Sequence, residues 1–181
     1  MDQEYSLDNT TKKLVLLFLM EKMEIPLTEN SIIDICTNRN NWIPYMDCIE
    51  VIYSLIKSHL IYTPEEHVEE PRYTLTYEGR NCLALFFQKV PTSLRDSIVS
   101  FAKLNVSHIK RKQEYVSSYQ KMADGSYLTT FTIREPHLCQ PIFEIKVKMN
   151  SRSGATGASK KWIEKAPEVY ETIFEMLLSE D

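Results

Sequence analysis

The sequence predicts an α+β chain of two units: a helical N-terminal half closed by a short hairpin, then about three antiparallel strands flanked by helices. Two observations carry this. Apolar residues recur at helical spacing in three segments before residue 60, and beyond residue 114 the period changes from helical to two. Between them, Arg72-Tyr-Thr-Leu-Thr-Tyr-Glu-Gly-Arg80 is an alternating strand that runs directly into a helix start. At 181 residues, 43% hydrophobic and 25% charged, the chain has the apolar content to bury a real core.

The first helix is expected over Thr10 to Met23, with Leu14, Val15, Phe18, Leu19 and Met23 inward and Asn9 or Thr10 as cap. Pro26 stops it. Thr28-Glu-Asn-Ser31 reopens a helix that ends near Asn38, and the polar cluster Asn38-Arg-Asn-Asn41 is a turn. A third helix runs from Ile43 or Pro44 to about Ser58, with Tyr45, Ile49, Ile52 and Ile56 inward and Pro44, Asp47, Glu50, Val51, Ser54 and Lys57 outward. Leu60 to Thr63 and Arg72 to Thr76 read as two strands joined by the acidic loop Pro64-Glu-Glu-His-Val-Glu-Glu-Pro71. A helix from Tyr77 to about Lys89 turns Leu83, Phe86 and Phe87 inward. Pro91 then marks a joint, so the units are expected at 1–90 and 91–181.

The second unit opens with a long amphipathic helix, Thr92 to about Lys112, striped by Leu94, Ile98, Phe101 and Ile109 and ending in the basic run Lys110-Arg111-Lys112. Such a run favours the C-terminal helix dipole, and a solvated helix end is preferred to a phosphate clamp. Tyr115 to Met122, Tyr127 to Arg134 and Ile142 to Met149 alternate as strands, the first two joined by a turn at Ala123-Asp-Gly-Ser126. Ala155, Ala158 and Trp162 follow at helical spacing, then a break at Pro167 and a last helix with Val169, Tyr170, Ile173, Phe174 and Leu177. Trp162, Tyr170, Phe174 and Phe143 read as core, with a small-molecule pocket as the alternative.

Three helices and a hairpin whose second strand launches another helix make the order of a winged helix-turn-helix. The elements Leu60-Ile-Tyr, Arg72 to Arg80, Phe86-Phe-Gln-Lys-Val-Pro91 and the spacing from Trp162 to Tyr170 resemble a family of small bacterial winged-helix proteins. That family is catalogued as a domain of unknown function and is similar to predicted transcription regulators of Gram-positive anaerobes. The resemblance covers nearly the whole chain. It implies DNA binding by the first half and brings no ligand or operator.

In such a module the third helix enters the major groove and the wing touches the backbone or minor groove. This nominates Arg39, Asn40, Asn41, Ser54 and Lys57, with Arg72 at the wing base. Charge opposes them. Residues 1–90 hold 8 Lys/Arg against 14 Asp/Glu, and Asp47, Glu50, Glu65, Glu66, Glu69 and Glu70 lie where they would repel phosphate. The expected partners are therefore double-stranded DNA and a second copy, joined through Leu94, Ile98, Phe101 and Ile109, because one short helix reads few base pairs. The alternative is a protein-interaction module that uses the winged-helix scaffold and its acidic wing. An unknown small-molecule effector is compatible with either.

Other chemistries find little support. Ser153-Gly-Ala-Thr-Gly-Ala-Ser159 lacks the phosphate-loop spacing, and His59, His67, His108 and His137 have no ligand spacing. No local pattern sets a nucleophile beside a base, so no catalytic residues, metal or cofactor are expected. Cys36, Cys48, Cys82 and Cys139 are scattered and read as buried, reduced thiols. The longest apolar run, Leu14 to Met20, is far short of a membrane span, and no secretory leader opens the chain, so a cytoplasmic location is expected.

Overall fold

A computed structural model describes residues 7–62, 71–135 and 140–178. The acidic loop with Glu65, Glu66, His67, Glu69 and Glu70, and also His137 and Cys139, lie outside the described residues. The fold is mixed α/β, with six α-helices and two three-stranded antiparallel sheets among those residues. The chain divides into two compact units, 1–107 and 108–181.

In the first unit α1 (Asn9–Met23) is the central element. Asp8 caps it, accepting from the Thr11 N–H at 2.6 Å. Seven consecutive residues, Leu14 to Met20, are buried, so the helix is covered on every face and not along one stripe. It packs on α3 (Tyr45–Lys57), on α4 (Tyr77–Phe86) and on strand β3 (Arg72–Leu75). Helix α2 (Glu29–Ile33) starts at the Thr28 cap, whose hydroxyl accepts from Ser31 N–H at 3.1 Å. It runs into a π-helical turn, Asp34–Arg39, before the chain reaches α3.

A two-residue strand, β1 (Leu27–Thr28), pairs with β3, and β2 (Ile61–Tyr62) pairs with its other edge, giving the sheet order β1-β3-β2. The sequence hid β1, because two residues carry no periodicity. The signature segment has a local explanation. Thr76 caps α4 by accepting from Gly79 N–H at 2.9 Å, while its own hydroxyl lies 2.8 Å from the His59 carbonyl. One side chain thus ties the end of α3 to the start of α4. Gly79 lets the two approach, since a Cβ there would lie 2.1 Å from the Leu60 carbonyl oxygen.

Pro91 does not separate the units. Helix α5 (Thr92–Glu114) begins in the first one, where Ile98 is fully buried and Phe101 meets Trp42 edge-on at 5.8 Å. Trp42 also donates from Nε1 to the Ser97 hydroxyl at 3.3 Å.

The second unit is a meander, β4 (Tyr115–Lys121), β5 (Tyr127–Arg134) and β6 (Pro141–Met149), with helix α6 (Arg152–Leu178) on one face. The β4–β5 turn uses Gly125 at φ +83°. Lys148 and Ser126 hold the Asp124 carboxyl beside it well below the usual range. Phe131, Ile133, Trp162 and Ala166 form the core. The expected break at Pro167 does not occur. The proline lacks an N–H for the carbonyl four residues back, yet Trp162, Ala166, Val169 and Tyr170 pack on the core from both sides of it and carry the helix through.

Candidate nucleic-acid interface

The third helix turns differently from its expected phase. Two apolar stripes compete on it and share Ile52: Tyr45, Ile49, Ile52 and Ile56, or Cys48, Val51, Ile52 and Leu55. The second is the buried one. Aliphatic side chains and a thiol fit the close packing against α1, while the tyrosines go to the surface, where their hydroxyls meet water. The outward face is therefore Met46, Glu50, Tyr53 and Lys57, at spacings of four, three and four, with Tyr45 beside it. Tyr45 and Tyr53 are each 57% exposed and Met46 64%. The sequence reading missed these three. Leu55 and Val51, left out of the expected stripe, were the available signal.

Asp47 also changes role. It is half-buried and accepts from Lys12 Nζ at 2.6 Å, so this carboxylate is neutralised by α1 and does not confront a ligand. Of the two acids expected on the outward face, Glu50 alone is exposed.

The six nominated contacts do not converge. Arg39 is exposed but ion-paired to Asp34 at 2.7 Å. Asn40 turns inward, its Nδ2 donating to the Ile35 carbonyl at 2.8 Å. Asn41 is exposed at φ 51°, which makes it a turn former as well as a polar surface group. These three sit before α3, whereas Ser54, half-buried, and Lys57, exposed, sit near its far end, about 20 Å along a helix of thirteen residues. Arg72 is withdrawn altogether. It starts the centre strand, is 3% exposed, and is engaged within the fold, so it offers nothing to a phosphate.

The expected dimer stripe is likewise used inside the chain. Ile98 and Ile109 are buried, Phe101 is half-buried against Trp42, and Leu94 is half-buried. An amphipathic stripe says that a face must be covered but not by what, and this one is covered by its own chain. The basic run Lys110-Arg111-Lys112 is exposed at the end of α5, with Lys110 4.0 Å from Glu114.

Among the described residues no three His, Cys, Asp or Glu side chains gather as metal ligands, and no helix is long and apolar enough to cross a membrane. Cys36 and Cys48 are buried free thiols, with Cys82 half-buried. A hydrogen bond between the two thiols pushes Cys36 up from the ordinary thiol value, with burial adding to the effect, and Cys48 down, with burial opposing it.

What the fold and site define is a two-unit mixed α/β protein whose third helix presents two tyrosines and a methionine beside one acidic and one basic residue. The chain belongs to the DUF4364 family, described as a domain of unknown function, whose model matches residues 12–177. No curated protein and no solved structure matches it.

Proposed function

We propose that the first unit is a winged helix-turn-helix and that the protein is a DNA-binding transcription regulator reading duplex DNA through α3. The observation that carries this reading is topological. A short strand between the first two helices pairs with the strand returning from a hairpin, in the order β1-β3-β2, and the hairpin follows directly on the third helix. In that arrangement the third helix has its outward side available for the major groove. Pairing of Asp47 with Lys12 supports the reading, because it removes one of the charges that oppose phosphate. A cytoplasmic homodimer goes with it, since two-fold symmetry doubles a short contact set. The stripe on α5 does not supply that interface.

A second reading is favoured by one specific feature, the exposed Tyr45, Met46 and Tyr53. Tyrosine and methionine are enriched where proteins meet proteins. Two variants separate the readings. If Lys57 meets a phosphate, Lys57→Ala lowers affinity about equally on all duplex sequences and reduces the salt slope by about one. In a protein-interaction module, Tyr53→Ala abolishes partner binding while neither parent nor variant binds duplex at low salt. Fluorescence anisotropy over a salt series reads the DNA side, and light scattering tests the dimer, which a monomer at micromolar concentration contradicts.

A further inference from the structure

The sheet of the second unit has two outer edges, one on β4 and one on β6, and no other strand pairs with either among the described residues. An uncovered edge is a row of unpaired N–H and C=O groups, which sequences guard with charge, proline or a bulge. The hairpin shows which residues form each row. Met122 donates from its N–H to the Ser126 carbonyl at 2.8 Å where β4 and β5 join, and this fixes the phase of the ladder. By alternation Val116, Ser118 and Gln120 bond to β5, and Tyr115, Ser117, Tyr119 and Lys121 turn their backbone groups outward. Carried across β5, the same alternation turns Glu144, Lys146 and Lys148 outward on β6.

The two rows differ. All three of those β6 residues are charged, Pro141 opens the strand, and the ladder is irregular between Ile133 and Arg134. That edge is guarded. The outward row of β4 has one charge, Lys121 at its last position, with no proline and a regular register. Ser118 to Lys121 are exposed, so the second half of this edge is open to solvent. The strand is also nearly palindromic: Tyr115-Val-Ser-Ser-Tyr119 reads much the same in both directions about Ser117. A second copy laid antiparallel with Ser117 on a two-fold axis brings Tyr115 opposite the partner's Tyr119 and Val116 opposite the partner's Ser118. Paired aromatics and paired serines stabilise neighbouring strands. Lys121 falls opposite the partner's Gln113, so no like charges meet.

We propose that β4 is the dimer interface: two copies pair β4 to β4 about Ser117, joining two three-stranded sheets into one of six strands with both α6 helices on one face. Such an isologous contact closes on itself and leaves only the guarded β6 edges outside. This deepens the homodimer reading, on which it rests, and holds whatever α3 contacts.

Size-exclusion chromatography with light scattering of the full chain at micromolar concentration tests it. Ser117→Pro removes an outward N–H and leaves the β5 ladder intact, a position where an edge strand tolerates proline. Lys146→Pro makes the matching change on the outer edge of β6. The parent and Lys146→Pro should run as dimers and Ser117→Pro as a monomer with the parent's circular dichroism. If Ser117→Pro fails to fold, hydrogen exchange of the parent decides: the Ser117 and Tyr119 amides should be protected and lose that protection on dilution. A monomeric parent overturns the dimer and this interface together. A dimeric Ser117→Pro, a monomeric Lys146→Pro, or unprotected Ser117 and Tyr119 amides in a dimeric parent overturns the interface alone.

Discussion

Replacing Gly79 by alanine is expected to destabilise the first unit by about 2 kcal/mol or more. The new methyl group would lie 2.1 Å from the Leu60 carbonyl oxygen, which is backbone and cannot rotate away. That oxygen also accepts from Thr76 N–H at 3.1 Å, so moving it disturbs the junction between α3 and α4. Overpacking of this kind costs roughly 1–3 kcal/mol, sometimes more. The better helix propensity of alanine offsets at most about 1 kcal/mol. For a unit of this size the thermal midpoint should fall by about 8 °C or more. Gly157→Ala is the internal control, since a Cβ there meets nothing within 4 Å. It should stabilise by roughly 0.4–1 kcal/mol. Thermal unfolding followed by circular dichroism reads both, and a Gly79→Ala midpoint at or above the parent's contradicts the close-approach account.

Trp162→Ala should have the largest effect of any single truncation in the second unit. The indole is 5% exposed, sits 5.1 Å from the Phe131 ring and 6.4 Å from that of Phe143, and donates to the Thr132 carbonyl at 3.3 Å. Removing a buried aromatic of this kind costs ~3–5 kcal/mol. Urea unfolding and hydrogen exchange of the β5 amides should both report the loss. Trp162→Phe should restore most of it, because the ring contacts survive and one hydrogen bond does not. If the alanine variant unfolds as late as the parent, the indole is not the centre of that core.

These two sites mark how far the sequence alone reaches. Gly79 stands three residues after Thr76 at the end of an alternating strand, so the capped helix start was legible without coordinates. The meander was legible too, because one face of each strand must be apolar and the period of two survives any packing detail. Phe143, Ile145, Val147 and Met149 alternate with exposed charges along β6 as that argument requires.

Rotational phase was less accessible. On α3 two stripes satisfied the same helical rule, and what decided between them was the fit of Cys48, Val51 and Leu55 to their surroundings, a tertiary property. The same holds for Arg72, whose exposure depended on a two-residue strand that periodicity cannot detect. Pro167 was read from its intrinsic preference, which the packing of α6 on the sheet overrides. Tyr170 and Phe174, expected as core, are divided: Tyr170 packs on the core, and Phe174 stacks on Tyr170 while standing half exposed.

DNA binding by α3 is tested most directly by fluorescence anisotropy on labelled duplex from the protein's own promoter region, at several salt concentrations, for the parent and for a variant with Glu65, Glu66, Glu69 and Glu70 replaced by Gln. Binding by the parent should be weak and steeply salt-dependent, since few cations on the outward face work against the acidic loop. The variant should bind more tightly, most visibly at low salt, where screening is least. No binding by either protein at low salt would contradict the DNA-reading account and leave the aromatic face of α3 to a protein partner.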